Sequence, residues 1–133
     1  MQNKIFPVLA LAMICGFSFT ASAAEPRVLQ IYAGWDAYAF DEDGGKVCYM
    51  AAKPSKGEGD YKNRGDIHAL ITHRPSEHTR NVFSYIAGYS YKPASDATID
   101  IDGQKFVLFT KDDTAWALSP ETDEEIAKAI RTG

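Results

Sequence analysis

Apolar and polar residues alternate with a period of two along most of this chain, the pattern of strands with one covered face and one open face. From Trp35 to Phe40, Trp35, Ala37 and Ala39 fall on one side, with Asp36, Tyr38 and Phe40 on the other. Asp41-Glu42-Asp43-Gly44-Gly45 then predicts a turn, because Asp and Gly accept the positive φ of tight hairpins. Lys46–Ala52 returns as a second strand, and Val28–Tyr32 is a short apolar strand ahead of both. Ile67–Thr72, Val82–Tyr91, Thr98–Ile101, Gln104–Thr110 and Thr114–Leu118 complete the set. Asp102-Gly103 is the strongest hairpin signal, while Lys53–Arg64 and the Pro75-punctuated His73–Asn81 read as loops. Strands recurring at roughly 8–12 residues with no helix between them predict an antiparallel sandwich or barrel.

The period changes at both ends. Near the C-terminus Ile126, Ala127 and Ile130 form one apolar stripe of a helix over about Pro120–Thr132. Ser119-Pro120 or Thr122 opens it, Thr122-x-x-Glu125 matching a capping box, and Gly133 closes it. At the N-terminus Lys4 precedes an apolar run from Ile5 to Phe19, followed by Ala21-Ser22-Ala23 and the polar Ala24-Glu25-Pro26. That is the layout of a secretory signal. About 15 apolar residues interrupted by Pro7 and Gly16 are short for a membrane span, which needs ~20. The expectation is a signal peptide over residues 1–23, cleaved near Ala23, and one domain over residues 24–133 in the periplasm or outside the cell. No membrane span is expected after cleavage.

Charge and cysteines narrow the partners. The chain carries a formal charge of −4, and losing Lys4 with the leader makes it −5. Acidic residues are interleaved with Lys and Arg, which argues against nucleic acid and anionic membrane surfaces. Cys15 leaves with the leader, so Cys48 stands alone, without an internal disulfide partner, in an oxidising compartment.

No catalytic, cofactor-binding or metal constellation is assigned. His68, His73 and His78 are spaced by five, so His68 and His73 lie on opposite faces of an extended strand and cannot share a metal. Asp41–Gly44 lacks the alternating oxygens and the distal Glu of a calcium loop, Ala52 standing where that Glu belongs. Nothing local pairs Cys48 with a histidine. Arg64-Gly65-Asp66 spells an adhesion tripeptide, although Gly65 has an ordinary role as a turn residue entering a strand. Phe83, Tyr85, Tyr89 and Tyr91 are expected on one face of a single strand, with Ser84 and Ser90 opposite. Trp35 and Trp116 are expected as core anchors.

Three blocks carry a resemblance: Lys46-Val47-Cys48-Tyr49-Met50-Ala51-Ala52-Lys53-Pro54, Arg64-Gly65-Asp66, and Ile71-Thr72-His73-Arg74-Pro75. Val82–Tyr89, Phe109-Thr110 and Asp113-Thr114-Ala115-Trp116 continue it. In this order and spacing the mature chain resembles the invasion-associated locus B family. The resemblance implies an exported bacterial protein with an immunoglobulin-like antiparallel β-sandwich and one short C-terminal helix. The family is named for a member linked to host-cell entry, though others occur in bacteria with no invasive lifestyle, and no site residues are carried over from it. Members continue past the helix through a further pair of strands, so a C-terminal truncation and self-association through an open sheet edge are expected. The favoured function is a non-catalytic cell-envelope module that binds an unknown protein or envelope partner, with a part in host-cell association and virulence. The alternative is a small periplasmic enzyme or redox factor using Cys48 or the His68/His73/His78 region.

Overall fold

The computed structural model describes residues 24–32 and 34–133, so the predicted leader over residues 1–23 lies outside the described residues. Period-two alternation is realised in β1 (Arg27–Ile31), β2 (Asp36–Glu42), β3 (Gly45–Ala52), β4 (His68–Arg74), β5 (Thr79–Ile86), β6 (Asp96–Ile101), β7 (Gln104–Lys111) and β8 (Thr114–Ala117). One turn of 3₁₀ helix, Pro75–Glu77, joins β4 to β5, and α1 (Pro120–Thr132) follows β8. The strands form one open antiparallel sheet in the order β1-β2-β3-β4-β5-β8-β7-β6. Five strands meander, the next connection carries the chain to the far edge, and β6, β7 and β8 return to close on β5. The class is all-β and antiparallel with one C-terminal helix, as the strand pattern predicts.

Turn chemistry sets the register. Asp43 (φ 44°) and Gly44 (φ 79°) turn β2 into β3, closing on the pair Glu42–Gly45. Asp102 (φ 49°) and Gly103 (φ 86°) do the same between Ile101 and Gln104. Positive φ at both central residues is the hairpin geometry whose twist matches the strands. The Asp100 carboxylate accepts the Gly103 N–H at 2.8 Å and pins the second turn.

One face of the sheet holds the core: Ile71, Phe83, Phe106, Leu108, Ala115 and Ala117, with Ile126 of α1 pressed onto them. Trp35 and Met50 from the β2–β3 side and Ile99 and Ile101 from β6 pack on the same cluster. The sheet thus curls around a single core, and α1 closes it into a sandwich-like body.

The helix is fastened at both ends. Ser119, not Thr122, is the N-cap: its Oγ accepts the Thr122 N–H at 3.2 Å. Pro120 follows in the first turn, where a missing N–H has no partner to lose. Gly133 donates its N–H to the Ala129 carbonyl. β8 pairs with β5 only from Ser84 to Ile86, which leaves Phe83 beyond the ladder on that side. The buried Asp123 of α1 takes the Phe83 N–H at 2.8 Å. Asn81 Nδ2 donates to Glu124 at 2.9 Å, a second clip between β5 and the helix.

Two expectations are corrected. β5 ends at Ile86 rather than Tyr91, so Tyr89 and Tyr91 do not share a strand face with Phe83 and Tyr85. The cause is Gly88, whose φ of 73° breaks the extended backbone and whose carbonyl accepts the Gly65 N–H at 2.7 Å. A Cβ on Gly88 would sit 2.8 Å from the Gly65 carbonyl carbon, so only glycine fits. Trp35 packs on the core, but Trp116 lies on the opposite face, stacked on Phe109 at 5.5 Å. Its neighbours Ala115 and Ala117 take the buried side of β8, in the cluster that Ile126 of α1 joins.

Candidate functional site

The face of the sheet turned away from α1 is apolar as well. Even-numbered residues of β2 and β4 and odd-numbered residues of β3 share it, because the register pairs Tyr38 with Tyr49, Phe40 with Val47 and Ala51 with Leu70. Together with Ile86 and Pro26 these side chains line an open groove of about 590 Å³. That lies in the range of small-ligand and peptide-anchoring sites. Tyr38 and Tyr49 stack at 5.0 Å with 16° between planes, and Phe40 meets Tyr49 edge-on at 6.1 Å. The floor is therefore a rigid aromatic surface, built by cross-strand pairs.

Polar groups are few. His68, Thr72 and Arg74 of β4 reach the groove. Arg74 Nε lies 3.5 Å from Glu42 and 3.9 Å from Glu77, so the rim cation is matched by carboxylates. Burial, and then the neighbouring Tyr38, push the Tyr49 hydroxyl above the usual tyrosine range. It stays protonated at physiological pH and serves as a neutral hydrogen-bond donor. The groove suits an apolar or aromatic group, with polar contacts available at His68, Thr72 and Arg74.

The histidines are placed as their spacing predicts. His68 lines the groove, His73 lies on the opposite face, and His78 follows the 3₁₀ turn in a left-handed conformation. Among the described residues no group of three or more His, Cys, Asp or Glu is placed to hold a metal. One pairing becomes visible only in the fold: Cys48 stands directly across from His73 on neighbouring strands. His73 Nδ1 accepts the Asn81 N–H at 3.2 Å, so the proton of the neutral ring sits on Nε2.

Within the Arg64-Gly65-Asp66 tripeptide, Arg64 is tied down while Gly65 and Asp66 are exposed. Arg64 Nε donates to the Ala87 carbonyl at 2.7 Å, and its guanidinium lies 5.0 Å from the Tyr61 ring and 5.2 Å from the Tyr89 ring. Tyr89 thus serves as one plate of a cation–π clamp.

Sequence reasoning missed the groove. Its one legible signal was the alternation of Trp35–Phe40, which set Tyr38 and Phe40 opposite the small residues Ala37 and Ala39. No helix of the described residues is long and apolar enough to cross a membrane. Neither a curated protein nor a solved structure matches the chain. The family profile described as "Invasion associated locus B (IalB) protein" matches residues 35–133, which takes in β2 through α1 and hence the aromatic floor of the groove. The chain belongs to the invasion-associated locus B family.

Proposed function

We propose that this protein is an exported, non-catalytic binding module of the cell envelope, and that the groove on β2, β3 and β4 is its contact surface. One observation carries the reading: a sheet face opposite the helix-covered core that is lined by stacked aromatic and aliphatic side chains. Soluble domains with one covered sheet face carry polar residues on the other. An apolar second face marks a site of interaction. Family membership and the leader-like N-terminus support export, and the family's name alone suggests a part in host-cell association.

Complementation of a deletion strain tests the reading. Leu70→Lys places a charge in the groove, and Lys105→Glu alters an exposed position on β7, far along the sheet. Envelope integrity or host-cell association should be restored by wild type and Lys105→Glu but not by Leu70→Lys, at equal periplasmic levels and with equal melting temperatures. Full rescue by Leu70→Lys contradicts the reading.

The Cys48–His73 register favours a second reading, a thiol-based envelope factor. Cys48→Ser in the same panel separates the two: loss of function with an intact fold assigns the role to the thiol, and full rescue assigns it to the groove.

A further inference from the structure

The two edges of the sheet differ. At the β6 edge the exposed side chains are Asp96, Thr98 and Asp100, and carboxylates along an edge discourage another strand from docking. At the β1 edge every residue is exposed, and Val28, Leu29, Ile31 and Tyr32 are 51%, 48%, 70% and 57% accessible. Arg27 is the one charge between Glu25 and Asp36. Among the described residues β1 places no side chain in the core cluster, and a backbone ladder joins it to β2. A strand whose side chains stay about half exposed or more offsets little of the entropy of fixing its chain.

We infer that β1 is the interface between two copies of this chain, joined edge to edge as antiparallel strands related by a two-fold axis. The N–H and C=O groups along the open side of β1 are hydrated in a lone copy, and another extended strand pairs them as a ladder. The antiparallel arrangement sets the two Arg27 side chains at opposite ends and leaves an uncharged segment between them. A parallel arrangement would set them abreast. Pairing of β1 with the β6 edge of another copy would strip water from Asp96 and Asp100 beside Val28 and Ile31, so the contact closes as a dimer rather than running on as a fibre. A bulge between Val28 and Gln30 leaves Leu29 without a partner on β2. Bulges guard many edges, but here the rim residues are apolar rather than lysine or proline. The two-fold is perpendicular to the sheet, so both grooves open on the same side, one on each flank of the joined strands, with Pro26 at the near wall of each.

Sedimentation equilibrium of the purified protein tests the inference. Wild type should show a concentration-dependent monomer–dimer equilibrium. Leu29→Lys combined with Ile31→Lys should lose the dimer while keeping the melting temperature that wild type shows at concentrations where it is monomeric, both positions being exposed. Thr98→Lys on the β6 edge should leave it unchanged. Leu29→Cys in a Cys48→Ser background gives a readout independent of those lysines: mild oxidation should link two copies. A wild type that stays monomeric at all concentrations, a double-lysine variant that still dimerises, or a Leu29→Cys chain that fails to cross-link overturns it.

Discussion

Asp123 is the buried carboxylate among the described residues, and its neighbours decide the sign of its effect on stability. Burial pushes its carboxyl above the usual range, the Phe83 N–H pulls it back, and the charge on Glu124 adds to the rise. A raised folded value means that the neutral form is favoured in the fold. The contribution is fully present below the unfolded value of about 3.9 and is lost as pH rises through the folded value. Asp123→Asn keeps an acceptor for Phe83 and removes the charge. Its melting temperature, relative to wild type, should therefore rise as pH goes from acid towards neutral. Asp123→Ala leaves the Phe83 N–H unpaired and should cost about 1–3 kcal/mol in denaturant melts at every pH. None of this was legible in the sequence, where Asp123 and Glu124 read only as acids suited to a helix start. The Phe83 amide is 40 positions away and becomes an orphan only because β8 stops short. The Cys48–His73 pair escaped for a similar reason, since the register of β3 on β4 depends on how the long loop between them closes.

Strands and turns follow local rules, and those were readable. Asp43-Gly44 and Asp102-Gly103 sit where positive φ is needed, and α1 begins and ends where its proline and glycine predict. β5 is the exception: the aromatic-rich Val82–Tyr91 reads as one strand, yet the strand ends at Ile86. Gly88 stops it through a contact with Gly65 that no local pattern announces. α1 matters beyond its own length because it forms the second layer of the core. Its own acidic composition gives it little intrinsic reason to dock, so Ile126, with no exposed surface, supplies the attachment. Ile126→Ala should lower unfolding free energy by about 2–5 kcal/mol, the usual cost of a large-to-small change in a sealed core. A loss below about 1 kcal/mol would mean that the helix is held chiefly by its clips to β5.

At the scale of the whole molecule, the sheet is apolar on both faces and covered by α1 on one. The alternation that reveals strands also hid this feature, because small alanines on β2 and β8 mark the core while Tyr38, Phe40 and Trp116 point away from it. Large side chains therefore read as buried when they are half-open. The central claim is that the open face around Tyr49 and Leu70 is where this family member meets its partner. Site-specific photo-cross-linking in living cells tests it most directly, with a benzophenone side chain at position 70 or, as the comparison, at Lys105. The account predicts a discrete cross-linked adduct from position 70 that is absent from position 105. Equal labelling at both positions, or none at position 70 with the protein present in the periplasm at normal levels, would contradict it.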